Sequence, residues 1–218
     1  MTYEQIRQDP AIRVYVSQAD AVLAALGFTE HSFPHVTCVA ERAGAILDTL
    51  GYPEHTVELA KIAGFLHDIG NIVNRTDHSQ SGGVMAFRIL DRLNFEPEDI
   101  SIIVSAIGHH DEGTGTAVSP VAAALIIADK SDVRRSRVRT PETVQADIHD
   151  RVNYSVTHSK LTVNTQERVL ELNLTVDTQV SSVMEYFEIF MKRMIMCRRA
   201  AEKLGLSFRL VINGQQLG

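Results

Sequence analysis

The chain has 218 residues, a formal net charge of −6, and 44% hydrophobic residues, enough to build a buried core. A general nucleic-acid binder is usually basic, because it must neutralise phosphates, so we expect no nucleic-acid polymer as a partner. No apolar run reaches the length of a membrane-spanning helix. The two cysteines are too few for a disulfide framework, and the first residues lack the pattern of a secretion signal. We therefore expect a soluble, cytoplasmic protein that does not associate with a membrane.

The first part of the chain predicts helices. Apolar residues recur at helical spacing in six segments, at about residues 12–26, 32–50, 54–69, 78–90, 97–109 and 120–128. Gly27 and Gly51 supply stop signals, and Pro34 falls in the first turn of the second segment, where proline is tolerated. We predict a helical body over residues 1–155.

The pattern changes in the last part of the chain. Apolar residues alternate over 161–163 and again over 170–176, which predicts two strands. A long amphipathic helix over 180–204 and a third strand over 208–212 follow. The fold class is therefore mainly α, with a small β-β-α-β appendage over 156–218. Such a sheet is too small to stand alone, so we expect it to pack on the body or, through its apolar helix, on a second copy in a homodimer.

Histidines and acidic residues mark the ends of the predicted helices. They are His35, the pair His67-Asp68, His78, the pair His109-His110, and Asp129. Helix ends can converge on one place while the helix bodies form the core. Imidazole nitrogen combined with carboxylate oxygen suits Mn, Fe, Co, Ni or Zn. We predict one or two divalent transition metal ions, and a carboxylate, with two oxygens, is the natural bridge between two.

The order of these residues resembles the signature of the HD superfamily of metal-dependent phosphohydrolases. His35, the pair His67-Asp68 within FLHDIGN, and Asp129 within LIIADKSD carry the resemblance. His78 in HSQSGGVMA and His109 in IVSAIGHH are similar to further ligands of its dinuclear members. The resemblance covers about residues 30–135. It implies an all-helical fold and hydrolysis of phosphomonoesters, cyclic nucleotides, dinucleotides or nucleoside triphosphates.

The resemblance also implies roles for single residues. His35, His67, Asp68 and Asp129 would hold a first ion, and Asp68 would bridge to a second ion held by His78 and His109. His110 resembles the second histidine of a pair found in cyclic-dinucleotide phosphodiesterases of the superfamily, as a metal ligand or a pocket residue. Two departures argue against that activity, because Asn71 stands where that subgroup has lysine and its glycine-tyrosine-proline motif is absent.

A replacement for the missing lysine is available as a proton donor. His31 and His35 are four residues apart, similar in spacing to a motif of class I cyclic-nucleotide phosphodiesterases whose first histidine protonates the leaving oxygen. Imidazole suits that task near neutral pH. We predict His31 and Asp68 as catalytic residues.

Candidate phosphate-binding residues are Lys130, Arg134 and Arg75, which stand beside the predicted ligands. The arginines at 134, 135, 137 and 139 have an alternative interpretation as a solvated face that pairs with nearby acids. His55, His149 and His158 are given no site role. The predicted substrate is a small phosphorylated molecule, nucleotides included.

Two other functions fit the same residues. One is a di-iron oxygenase, since some HD proteins cleave C–C or C–P bonds with dioxygen. The other is a regulatory module that senses a nucleotide without turning it over. The complete ligand set favours the hydrolase over the sensor.

Overall fold

The computed structural model describes residues 1–140, 142, 144 and 146–217. Its helices and strands run in the order α1 (Tyr3–Gln8), α2 (Pro10–Ala25), α3 (Phe33–Thr49), α4 (Glu54–Leu66), α5 (His78–Arg92), α6 (Pro97–Gly108), α7 (Pro120–Lys130), α8 (Ile148–Ser155), β1 (Val156–Asn164), β2 (Val169–Val176), α9 (Val183–Lys203), β3 (Ser207–Ile212) and β4 (Gln215–Gln216). Short 3-10 turns cover Ile69–Ile72 and Arg135–Arg137. The predicted fold class, mainly α with a small C-terminal β-β-α-β part, is confirmed.

The helical body is organised around α7. All residues from Val121 to Ala128 are buried, which is typical of a helix surrounded by other helices. Ser119 caps its start, because the side chain accepts a hydrogen bond from the backbone N–H of Ala122. Asp129 stands near the end of α7, so the central helix delivers a carboxylate to one end of the body.

The C-terminal sheet has the order β1-β2-β3-β4. β1 pairs antiparallel with β2, β2 pairs parallel with β3, and β3 pairs antiparallel with β4. The parallel pair needs a crossover connection, and α9 supplies it. α9 begins with a capping box in which the side chains of Ser182 and Glu185 each accept a hydrogen bond from the other's backbone N–H.

The structure differs from the predicted elements at several places. The third predicted helix ends at Leu66, and its last predicted residue lies in the 3-10 turn Ile69–Ile72. α1 and α8 were not predicted, because each is too short to show more than a few apolar repeats. Asp147 starts α8 by accepting hydrogen bonds from the backbone N–H groups of His149 and Asp150.

The C-terminal part shares the core of the helical body. Leu170, Met196, Ala200, Ala201, Leu204 and Leu206 pack in the same buried cluster as α3, α4 and α7. A second cluster joins α9 to the sheet and includes Tyr186, Phe190 and Cys197. α9 therefore buries most of its apolar residues within the chain, while Met184 and Met191 stay exposed. The boundary at 155 and a homodimer through the C-terminal region stay predictions.

Across the part of the chain that the structure describes, no helix combines the length and the apolar character that crossing a bilayer requires.

Candidate metal centre

Five helices bring their ends to one place. His35 lies in the first turn of α3, His67 and Asp68 follow α4, His78 opens α5, His110 follows α6, and Asp129 stands near the end of α7. The four histidines and Asp68 are buried, with at most 4% of their surface exposed.

Two glycines allow these helices to meet. A Cβ atom on Gly64 would lie 2.7 Å from the Cα atom of Ala40, so α3 and α4 touch through their backbones. A Cβ atom on Gly70 would lie 2.0 Å from the carbonyl oxygen of His78 and 2.4 Å from the backbone nitrogen of Gly82. Any larger residue at 70 would push α5, and His78 with it, away from Asp68.

A first group of ligand atoms comes from α3, α4 and α7. His35 Nε2 lies 3.4 Å from Asp129 Oδ1 and 3.6 Å from Asp68 Oδ2. His67 Nε2 lies 3.1 Å from Asp68 Oδ2 and 3.7 Å from Asp129 Oδ1. Two imidazole nitrogens and two carboxylate oxygens therefore face a common centre.

A second group lies on the other side of Asp68. His78 Nε2 is 3.5 Å from Asp68 Oδ1 and 3.1 Å from His110 Nε2. The His67 and His110 rings are also in contact, with centroids 4.9 Å apart. Asp68 thus presents one oxygen to each group.

Every imidazole of the two groups is oriented through its other nitrogen. The Nδ1 atoms of His67, His78 and His110 lie 2.8, 3.1 and 2.7 Å from the backbone carbonyls of Gly64, Arg75 and Ile107. His35 Nδ1 lies 2.8 Å from Asp132 Oδ2. A carbonyl or carboxylate oxygen only accepts, so each Nδ1 donates a hydrogen, and in the neutral ring Nε2 keeps a free lone pair.

These lone pairs leave buried atoms without partners. His35 Nε2, His67 Nε2 and Asp68 Oδ2 are buried and make no hydrogen bond to any described residue. His78 Nε2 and His110 Nε2 point lone pairs at each other across 3.1 Å. Unsatisfied buried polar groups are costly, and a cation at each centre would satisfy them. The donor set, imidazole nitrogen with carboxylate oxygen, fits a divalent transition metal ion.

The pKa values of the cluster residues also favour positive charge beside the two carboxylates. Burial lowers the pKa of His67, but Asp68 and Asp129 outweigh it and raise that pKa to about 10. Burial raises the pKa of Asp68, but His67 and His35 hold it well below its ordinary value. Burial and the neighbouring His67 lower the pKa of His110 to about 3. A proton on His67 therefore takes the place of a cation in the first group, and His110 stays neutral.

A cavity of about 340 Å³ opens beside the cluster. Its lining combines three guanidinium groups with aromatic and polar side chains, namely Phe28, His31, Arg75, Arg137, Asp147, His149, Asp150, Asn153, Phe190 and Arg193, together with the loop residues 26, 27 and 29. The candidate ligands do not line this cavity, but two of its lining residues contact them. Arg75 Nη1 lies 3.5 Å from His78 Nε2, and the ring centroid of His31 is 5.3 Å from that of His35.

The family model of the HD domain matches residues 32–155, which is more than half of the chain. The chain belongs to the HD domain family. A solved structure to which it is similar is that of a predicted HD superfamily hydrolase from an uncultured Thermotogales bacterium, at 23% sequence identity and a TM-score of 0.44, with 60% of this chain and 73% of that chain covered. No curated protein matches the chain.

Within this HD domain, the structure places the two adjacent histidines on different sides of α6. His109, predicted as a ligand of the second ion, instead directs Nδ1 to the backbone carbonyl of Ser105 and lines an apolar groove between α5 and α6. His110 faces His78. The chain leaves helical geometry after Gly108, so the two side chains diverge, and a resemblance in sequence order did not resolve which of them turns inward.

Arg134 is also placed differently from the prediction. Its Nε donates to Asp132 Oδ1 at 3.0 Å and its Nη2 lies 3.4 Å from Glu30 Oε2, and it does not line the cavity. Its role is to hold Asp132, which orients His35. Arg137, its neighbour on the 3-10 turn, lines the cavity instead.

Lys130 forms ion pairs with two carboxylates. Its ammonium lies 2.7 Å from Asp129 Oδ2 and 3.3 Å from Glu112 Oε2, and it does not line the cavity. The ammonium therefore pairs with the second oxygen of Asp129, and the phosphate role of Lys130 stays a prediction. Arg75, by contrast, lines the cavity beside His78, as a phosphate-binding residue would.

His31 lines the cavity with Nδ1 held 2.6 Å from the backbone carbonyl of Thr29. Its Nε2 is then the nitrogen available to a substrate. Burial and the neighbouring Arg137 hold the pKa of His31 well below its ordinary value. His31 is thus neutral at pH 7 in the ion-free protein.

Sequence reasoning missed several residues of the cavity. Phe190 and Arg193 belong to α9, which was assigned to the appendage, and His149 and Asp150 belong to α8, which was not predicted. The only sequence signal for Arg193 is that it stands one helical turn after Phe190. Arginines at such positions are common on solvated helix faces, so this signal does not predict a cavity.

Proposed function

We propose that this chain is a metal-dependent hydrolase of small phosphate esters, nucleotides included, which holds two divalent transition metal ions. The observation that carries the proposal is a set of oriented imidazoles around Asp68. His35 Nε2 and His67 Nε2 face carboxylates without a hydrogen bond to any described residue, and His78 Nε2 and His110 Nε2 lie 3.1 Å apart. His35, His67, Asp68 and Asp129 would hold one ion. Asp68, His78 and His110 would hold the other, with Asp68 as the bridge.

Bound ions would lower the pKa of an attacking water and would neutralise charge on the phosphoryl oxygens. The chain's own residues do the rest. Arg75, at the junction of cluster and cavity, binds a non-bridging phosphoryl oxygen, since a guanidinium matches the geometry of phosphate. His31 faces the same space through Nε2, where it contacts the leaving oxygen. Asp132 and Lys130 hold His35 and Asp129 in position from behind.

The size of the cavity supports a small substrate. About 340 Å³ is at the lower end of the range for small-molecule sites. The net charge of −6 also disfavours a long polyanion. The cavity accommodates a phosphoryl group with a sugar-sized or nucleoside-sized remainder.

The test is metal analysis of protein purified without chelator, followed by a hydrolysis screen with Mn, Fe, Co, Ni and Zn. The screen covers phosphomonoesters, cyclic nucleotides and dinucleotides, with phosphate release as the readout. We expect about two ions per chain and turnover that Asp68→Asn abolishes. Asp48→Asn, on an exposed carboxylate of α3, is the matched control and keeps both. Protein that retains no transition metal, or releases no phosphate from any ester, contradicts the proposal.

The same screen under anaerobic conditions separates the two catalytic candidates. A hydrolase keeps its turnover without dioxygen, whereas an oxygenase loses it. Metal-loaded protein that binds nucleotides but turns none over would instead be a sensor.

A further inference from the structure

One wall of the cavity is formed by α9, the last helix that the structure describes. Phe190 and Arg193, one helical turn apart, both line the cavity, and the guanidinium carbon of Arg193 lies 4.5 Å from the centre of the Phe190 ring. Arg193 Nε also lies 2.7 Å from Glu112 Oε1. The stacked ring and the ion pair fix the guanidinium in place, so it is oriented before any ligand arrives.

Arg193 stands apart from the atoms that would meet the reacting phosphoryl group. Its link to the cluster is indirect and runs through Glu112 and Lys130 to Asp129. Arg75 occupies the position next to the ligand atoms, 3.5 Å from His78 Nε2. Two cationic positions therefore exist in one cavity, one at the cluster and one on α9.

Arg137 lines the same cavity as Arg193. Its Nε and Nη1 donate to the backbone carbonyls of Glu30 and Asp132. Burial, opposed by Asp132 and Asp129 and reinforced by Arg193, lowers the pKa of Arg137 from its ordinary value. Both guanidiniums line one cavity, and an anion bound between them would be attracted to both.

The remaining polar groups of the cavity lie on and before α8. Asp147 is occupied as the N-cap of α8, and Asp150 and Asn153 are buried in the same wall. Carboxylate and amide oxygens accept hydrogen bonds, so this wall suits the hydroxyl or amino groups of a substrate. The cavity therefore has one region for an anion and another for hydrogen-bond donors.

We propose that α9, which lies outside the residues matched by the HD family model, completes the substrate site, and that Arg193 with Arg137 binds an anionic group of the substrate other than the phosphoryl group attacked. This inference rests on the proposed function for the identity of the cavity as the substrate site. The second anionic group is a phosphate or a carboxylate, and Arg193 is the residue that selects substrates carrying it.

The test is titration calorimetry with probes that cannot be hydrolysed. Ethylphosphonate carries one anionic group, phosphonoacetate adds a carboxylate, and methylenediphosphonate adds a second phosphonate. The proteins are the full chain, Arg193→Met, Arg193→Lys, and Arg198→Met as a control, because Arg198 is an exposed arginine on the same helix. Each probe is measured with and without Mn²⁺, so that binding of the probe to the ions is separated from binding to the protein.

We expect the full chain to bind one of the doubly anionic probes more tightly than ethylphosphonate. Arg193→Met weakens that probe by about tenfold to a hundredfold, the range for hydrogen bonds to charged groups, and leaves ethylphosphonate within about twofold. Arg193→Lys recovers part of the loss, and Arg198→Met behaves as the full chain. The better of the two probes identifies the second group as carboxylate or phosphate.

Two results overturn the inference. Equal weakening of all three probes by Arg193→Met places Arg193 on the attacked phosphoryl group or in the structure alone. No preference for either doubly anionic probe in the full chain removes the second anion site. Both readouts are binding constants, so they separate this inference from the proposed function, which fails on absence of hydrolysis.

Discussion

His78 and His110 face each other with their Nε2 atoms 3.1 Å apart, while both Nδ1 atoms are engaged by backbone carbonyls. Protonation of His110 does not resolve this contact, because burial lowers the pKa of His110 to about 3. A cation shared with Asp68 Oδ1 does resolve it. At the scale of single residues, this pair supports two ions over one.

Replacing the two adjacent histidines in turn tests that assignment. His110→Ala removes a ligand atom from the second group, so we expect metal content to fall from about two ions to about one per chain and phosphate release to drop by at least about a hundredfold. His109→Ala is the matched control, because its Nδ1 is directed to the carbonyl of Ser105 and its ring lines the outer groove. Equal metal loss in both variants, measured by elemental analysis, contradicts the assignment.

His31 is the predicted proton donor. Because its Nδ1 donates to the carbonyl of Thr29 and burial lowers its pKa, Nε2 donates only from the protonated ring, a form that the negative charge of a bound phosphate would favour. A general acid matters most when the leaving alkoxide is a strong base. We expect His31→Ala to lower kcat by about a hundredfold to a thousandfold for alkyl phosphates, and far less for p-nitrophenyl phosphate, with metal content unchanged.

His31→Gln is the control for packing, since it keeps a polar side chain in the loop without a titratable nitrogen. A loss in His31→Ala that is the same for both leaving groups shows that His31 positions the substrate and donates no proton.

The approach of α5 to the end of α4 is the decisive contact at the scale of elements. Gly70 leaves no room for a Cβ atom, which would lie 2.0 Å from the carbonyl oxygen of His78. Because that oxygen is backbone, the helix itself must move if the side chain grows. The glycine of the HDIG sequence is thus what allows His78 to reach Asp68.

Gly70→Ala tests this coupling. We expect α5 to shift outward, the second ion to be lost before the first, and the melting temperature to fall by several degrees, in line with a destabilisation of about 1–3 kcal/mol for overpacking. Gly108→Ala is the matched control, since a Cβ atom there meets nothing within 4 Å. If elemental analysis finds both ions in Gly70→Ala, that result contradicts the expectation that Gly70 sets the distance between α5 and α4.

At the scale of the whole molecule, the cluster exchanges protons for metal. The pKa of His67 is raised to about 10 in the ion-free protein, so His67 is protonated at pH 8 and must lose its proton to bind an ion. We expect about one proton released per first ion at pH 8, and a metal affinity that rises with pH until pH passes about 10.

Calorimetry in two buffers of different ionisation enthalpy, such as Tris and HEPES at pH 8, measures this release. The apparent heat of Mn²⁺ binding should differ between the buffers in proportion to the protons released. Asp48→Asn, on an exposed carboxylate of α3, is the control and keeps the difference between the buffers. A heat that is the same in both buffers for the unmodified chain contradicts the expectation.

Much of the centre was predictable because its residues stand at helix ends, where local signals are strong. Proline, glycine and apolar periodicity fixed the ends of α2, α3 and α7, and the order His35, His67-Asp68, Asp129 followed from those ends. Residues that depend on a turn after a helix were less predictable. His109 and His110 differ by one position, and only the backbone after Gly108 decides which of them faces inward.

The sequence by itself determined the mainly helical fold and the position of the sheet, since these depend on spacing along the chain, and its resemblance to the HD superfamily implied the candidate ligands. The tertiary structure alone decided what surrounds them. It paired Lys130 with Asp129 and Glu112, set Asp132 behind His35, and brought Phe190 and Arg193 to the cavity across more than a hundred residues from His31. Such contacts arise because α9 packs on the core of the helical body. The apolar periodicity of a helix predicts which of its faces is buried, but it does not predict which distant segment that face packs against.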